Sequence, residues 1–362
     1  MKSLLVAFFL LFATSLNAAT YYVSPSGANT TCTNAQNVST PAGPKLQFVM
    51  GCMVGGDTLI ARNGTYDEPL HKAGLNGMLP SGTAVAPTVF KAFTGEKVWL
   101  RTTPLDPWGS IFEFDNHSYI TFDGISWDGF VDPSRIPFPH EYVMLKIQQA
   151  SHHIRIINGE VKNLPDGWFS SNNGDDNELS GMRIHDSYPA SSYNSGSSNC
   201  GQATCWGYPL YWNGRRNKVL NNEIWNFPSW GLHLYCYGSA YCNFATDTLI
   251  QGNNIHDYGY GDWRGAGILD ANGTNNRIIS NAVWNSKNQT PPIDVGPNAV
   301  GTVLIGNTYV QPSPPVVQPP VPAPTPTNWI EIRTDKTVTI TGKSIIIPKD
   351  KNTNIIVNGS KR

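Results

Sequence analysis

Charge is scarce in this chain. Asp, Glu, Lys and Arg make up 14% of its 362 residues, with a formal net charge of -1. So even a balance carries no basic footprint for nucleic acid. After Ala13 no apolar run is long enough to cross a bilayer as a helix, so no membrane span is expected. Apolar residues seldom recur at helical spacing, which excludes a helical bundle. Cysteine is sparse as well. None of the six shows the short paired spacing of a zinc knuckle, which argues against a structural zinc site.

What is present begins with MKSLLVAFFLLFATSLNAAT. A basic residue, an apolar run and small residues at Ala18 and Ala19 give the layout of a secretory signal peptide over residues 1–19. An exported chain with an even cysteine count is expected to form disulfides. Sequence order pairs Cys32 with Cys52, Cys200 with Cys205, and Cys236 with Cys242. Gly, Asn and aromatic residues abound, so amides, hydroxyls and rings must wet much of the surface. That suits a weakly charged polar partner such as a polysaccharide. Residues 311–327 hold eight prolines and read as an extended linker. Residues 328–362 read as a small C-terminal β segment that contacts a partner or a cell surface.

Between these ends a short phrase recurs: NKVLNNEIWN, DTLIQGNNIHD and NRIISNAVWN. Its apolar anchors are Ile125, Val161, Ile184, Ile224, Ile255, Val283 and Tyr309. Several successive anchors are about two dozen residues apart, the signature of a solenoid whose units each carry several short strands. Two residues before the anchors stand Asp123, Gly159, Met182, Asn222, Asn253, Asn281 and Asn307. Two residues after the middle five stand Asn163, Asp186, Asn226, Asp257 and Asn285. Asn and Asp tolerate left-handed backbone and suit sharp turns, and stacked amides are expected to bond in ladders. Residues 46–54 are expected to supply an N-terminal helical cap over the open strand edge.

YYVSPSG at Tyr21, GGDTLIARNGTYDE from Gly55 and the NNEIWN…WGLHLY repeats resemble right-handed parallel β-helix proteins of the pectin-lyase-like superfamily. The resemblance covers residues 20–310. It implies an all-β fold and a carbohydrate-related role shared among uronate polysaccharide lyases, glycoside hydrolases, epimerases and non-catalytic surface proteins. The paired Asp and Gly-His-Gly of the hydrolases do not appear, nor does the Arg-rich pattern of pectate lyases or the Lys-then-Arg pattern of alginate and chondroitin lyases. The resemblance also implies Ca2+ as a possible cofactor, for which Asp257 and Asp262 on one loop are the candidates.

A second strand aligns across the coils: FEF at 112–114, LKI at 145–147, LYW at 210–212, LHL at 232–234, ILD at 268–270 and IDV at 293–295. Strand alternation turns the middle residue outward. The outward column then reads Glu113, Lys146, Phe169 or Ser170, Tyr211, His233, Leu269 and Asp294. Lys146, Tyr211 and His233 are the candidate catalytic groups. Trp206, Asn213, Arg215, Trp230, Tyr235, Trp263 and Arg264 are the candidate substrate-binding residues, with Tyr237, Tyr258 and Tyr260 in the same flanking insertions. A rival outward column follows the anchors: Lys162, His185, Trp225, His256 and Trp284. Its His185–Asp186 and His256–Asp257 pairs read as turn chemistry, because consecutive strand residues face opposite ways unless a bend intervenes. Elimination on a uronate needs a base, an acid and a cation for the carboxylate. Lys146, Tyr211 and His233 supply those types, so a polysaccharide lyase is the leading expectation. The alternatives are a glycoside hydrolase, which needs two carboxyls, and a non-catalytic glycan-binding solenoid.

Overall fold

The computed structural model describes residues 18–68, 78–102, 112–129, 143–148, 150–165, 168–171, 174–188, 209–236, 244–259, 265–285 and 291–310. Among them the strands form three parallel sheets of ten, eight and seven strands. The chain visits the sheets in turn. For example, Lys218–Leu220 lies in the ten-stranded sheet, Glu223–Phe227 in the eight-stranded sheet and Leu232–Leu234 in the seven-stranded sheet. Leu249–Gln251 then re-enters the first sheet one coil on. The result is the expected parallel β-helix.

The three corners differ. From the ten- to the eight-stranded sheet the chain turns on a residue pair, such as Asn221–Asn222, Gly252–Asn253 or Ser280–Asn281. The first member is left-handed, with φ of 54° at Asn221, 69° at Gly252 and 54° at Ser280. The second builds the expected ladder. The Oδ1 of Asn253 accepts from the backbone N–H of Asn222 at 2.9 Å, and Asn281 and Asn307 repeat the bond to Asn253 and Asn281. Each Nδ2 reaches back to a carbonyl, as Asn253 does to Val219 at 2.9 Å. The amides of Asn222, Asn253 and Asn281 are buried, so the ladder satisfies groups that burial would otherwise penalise. Three long connections, residues 129–142, 189–209 and 235–248, lead into or out of the seven-stranded sheet, and a fourth, residues 69–87, joins the eight- to the ten-stranded sheet.

The anchors Val161, Ile184, Ile224, Ile255 and Val283 are buried and in register across the eight-stranded sheet. Ile125 is a correction. Val161 pairs with Trp127, which is the buried anchor of that coil. Asp123 pairs with Ile157 there, so Ile125 stands at the second corner position, where later coils carry Asn, and the sequence reading falls two residues early. Tyr309 is exposed, as are Val303, Leu304 and Ile305 on the last described strand. At the other end the helix Leu46–Met50 buries Leu46, Val49 and Met50, and so supplies the expected helical cap. Cys32 is bonded to Cys52, as expected. Cys236 is disulfide-bonded too. Cys200, Cys205 and Cys242 lie outside the described residues, as do the expected signal peptide up to residue 17, the linker and the C-terminal segment. Among the described residues no helix is long and apolar enough to cross a membrane.

Candidate functional site

The seven-stranded sheet carries the expected outward column in register. Glu113 pairs with Lys146, Lys146 with Ser170, Ser170 with Tyr211, Tyr211 with His233, His233 with Leu269 and Leu269 with Asp294. Period-two alternation explains the choice. Phe112, Phe114, Leu145, Ile147, Leu210, Leu232, Leu234 and Ile268 fill the core from the opposite face.

The middle of the column is not an open strand face. Tyr211 and His233 are each only 5% exposed, because Trp230 and Ala266 cover them and Tyr235 and Leu269 flank them. The His233 ring stacks against Trp230 with centroids 5.0 Å apart and against Tyr235 at 5.5 Å, while Tyr211 meets it edge-on at 5.3 Å. Burial among rings drives the His233 pKa down to about 3, so its imidazole is neutral at neutral pH. Lys146, Leu269, Tyr235 and Asp294 are half-buried and reach the solvent side. Glu113 accepts a hydrogen bond from Gln148 Nε2 at 2.8 Å.

Other candidates separate from this nest. Asn213 is fully buried, and its Nδ2 donates to the Tyr235 carbonyl at 2.6 Å. It ties two coils together, and strand alternation breaks down at the corner after Trp212. Arg215 sits at that corner on the Asp175 carboxylate, with Nε donating at 2.8 Å. Tyr258 is buried against Phe227 in the eight-stranded sheet, not in a groove wall. Asp270 points inward as its phase requires, and its carboxylate accepts from Gly273 N, Asn276 Nδ2 and Thr302 Oγ1. Trp206, Tyr237, Tyr260, Asp262, Trp263 and Arg264 lie outside the described residues. Of the Ca2+ candidates, Asp262 lies outside the described residues. Asp257 meets His256 Nδ1 at 2.8 Å, and among the described residues no three His, Cys, Asp or Glu side chains cluster to hold a metal.

The rival column is also in register, and there the bend does intervene. Asp186 and Asp257 are left-handed, at φ 55° and 51°, which brings each carboxylate back beside the preceding imidazole. Asp186 Oδ2 lies 2.8 Å from His185 Nδ1. On the other side, Glu160 lies 3.2 Å from His185 Nε2 and Glu223 lies 3.7 Å from His256 Nε2. Burial alone would raise the Glu160 carboxyl, but hydrogen bonds from Lys97 and His185 hold it below the usual range. His185, Trp225, His256 and Trp284 stack nearly parallel, with successive centroids 4.2, 5.9 and 4.5 Å apart. Sequence reading missed Glu160 and Glu223. The signal was there: each stands two residues before a member of the column, Lys162 or Trp225, one coil before its histidine.

No protein-family model matches the chain, and no curated protein matches it in sequence. Solved structures do match. A rhamnogalacturonan lyase superposes at TM-score 0.55 with 16% identity, over 81% of this chain and 74% of that one. An alginate lyase from Paenibacillus sp. str. FPU-7 superposes at TM-score 0.50 with 12% identity, over 80% of this chain and 95% of that one. Identities this low speak to architecture alone. In architecture, the chain is a right-handed parallel β-helix.

Proposed function

We propose that this is an extracellular carbohydrate-active β-helix protein that cleaves a uronate-containing polysaccharide by β-elimination on its seven-stranded sheet. The observation that supports it is the in-register column holding Lys146, Tyr211 and His233 on a sheet that three long connections flank. Elimination removes the proton beside the carboxylate, builds charge on the carboxylate oxygens and expels the glycosidic oxygen. The Tyr211 phenol donates its proton to the leaving glycosidic oxygen, and His233 takes the proton beside the carboxylate. His233, kept neutral by its aromatic surroundings, offers an acceptor nitrogen that ordinary shifts of pH do not remove. Lys146 stands two strands from Tyr211, about 10 Å along the axis at ordinary strand spacing, and supplies the cation for a substrate carboxylate.

A second reading, a non-catalytic glycan-binding solenoid, is favoured by the burial of Tyr211 and His233. A panel of polysaccharides separates the readings. Elimination gives the ultraviolet absorbance of a new C4–C5 double bond, hydrolysis gives reducing ends without it, and a binder gives neither while retaining glycan. With elimination observed, Tyr211→Phe and His233→Ala should each lower turnover by roughly a hundredfold or more with folding intact. Unchanged turnover in both would move the site off this column.

A further inference from the structure

Outside the column, the corner between the seven- and ten-stranded sheets gathers histidines. His152 and His153 open the strand His152–Ile157. Neighbouring strand residues normally face opposite ways, yet His153 has a left-handed backbone, φ 57°, and the two rings come to the same side. Their Nδ1 atoms stand 2.8 Å apart, with ring planes at 82°. Tyr119, left-handed at the corner one coil earlier, packs flat on His153 at 4.6 Å and edge-on to His152 at 5.4 Å, which backs the pair. One coil later the carboxylates of Asp175 and Asp176 are engaged by Arg215 and Arg216. His117 Nδ1 is engaged by the Asp115 carbonyl at 2.8 Å. His153 is exposed and His152 partly so, which leaves solvent access to the pair.

We propose that His152 and His153 form a two-nitrogen binding site for a tetragonal transition-metal dication, Cu2+ foremost and Ni2+ next. Two imidazole nitrogens in adjacent positions of a square, each about 2.0 Å from the metal, are about 2.8 Å apart. That is the spacing already present. A tetrahedral ion would need the nitrogens about 3.3 Å apart, so Zn2+ fits less well. In the ion-free pair one Nδ1–H donates to the other Nδ1. On binding, that proton moves through water to Nε2 of the same ring. Both imidazoles stay neutral, and two nitrogen lone pairs bond to the metal after a swing of the rings. Among the described residues no third His, Cys, Asp or Glu joins the pair, so water completes the coordination.

The test is calorimetric titration of the untagged full-length chain with CuCl2, NiCl2 and ZnCl2 at neutral pH, with the visible absorbance band of bound Cu2+ as a second readout. His152→Gln and His153→Asn are the variants. Asn tolerates the left-handed backbone of position 153, so the corner is kept, and unchanged thermal midpoints without metal confirm folding. One Cu2+ site weakened at least tenfold in each variant, with Cu2+ ahead of Zn2+, is expected. Absence of binding by the parent chain, or equal binding by parent and variants, would overturn the assignment and leave a hydrogen-bonded pair alone.

Discussion

The two outward columns place histidine in opposite surroundings. In the seven-stranded sheet, His233 has aromatic rings on its faces and edge, and burial strips its charge. In the eight-stranded sheet, His185 and His256 also stack on rings, but carboxylates stand at both ring nitrogens. The same residue type thus stands among rings alone in one column and between rings and carboxylates in the other. A titratable column alone does not mark a site. What the neighbouring coils bring to each nitrogen decides its chemistry.

Acid should separate the columns most strongly. The His233 pKa is 6.5 when unfolded and about 3 when folded, so its contribution is complete above pH 6.5 and is lost as pH falls toward 3. Denaturant unfolding should show a loss that approaches about 1.4 kcal/mol per pH unit from this group, about 2 kcal/mol between pH 6.5 and 4.5. That window lies above the range where Glu96, Glu160, Asp176 and Glu178, all held below their usual values, begin to protonate. His233→Phe keeps the ring packing and should lose most of the slope; equal slopes in parent and variant would break the comparison.

Opening the nest is the next test. Trp230→Ala removes a covering ring, and should raise the His233 pKa by more than about one unit, read by NMR titration, because water relieves the desolvation. A value still near 3 would mean that the remaining rings suffice. On the other sheet, Trp225→Ala removes the ring between His185 and His256 and should cost about 2 kcal/mol in thermal or denaturant unfolding. Asp257→Asn should cost under about 1 kcal/mol, since the amide oxygen still accepts from His256 Nδ1 and the site is partly solvated. A larger loss would show that the charge, not the hydrogen bond, holds that rung.

Much of this was legible in the sequence. Alternation alone set the register of Glu113, Lys146, Tyr211, His233 and Asp294, because a one-residue slip would turn Phe112, Leu145 and Leu232 out of the core. Recurring Asn two places before the anchors marked the ladder, since a buried turn needs a short side chain with both donor and acceptor. The burial of Tyr211 and His233 was hidden. It depends on where the segment around Trp230 and Ala266 folds back, which no period encodes. The His–Asp bends were hidden for a related reason: alternation assumes extended backbone, and one left-handed residue reverses its answer.

The two-residue corner has a consequence for how this molecule can change. One extra residue between Leu220 and Glu223 would put Asn222 out of step with Asn253 and break contacts on both neighbouring coils. Extra residues between Tyr188 and Leu210 move no rung at all. Length variation is therefore admitted on the flanks of the seven-stranded sheet and refused along the amide spine. New surfaces can be grafted beside that sheet while the spine keeps count.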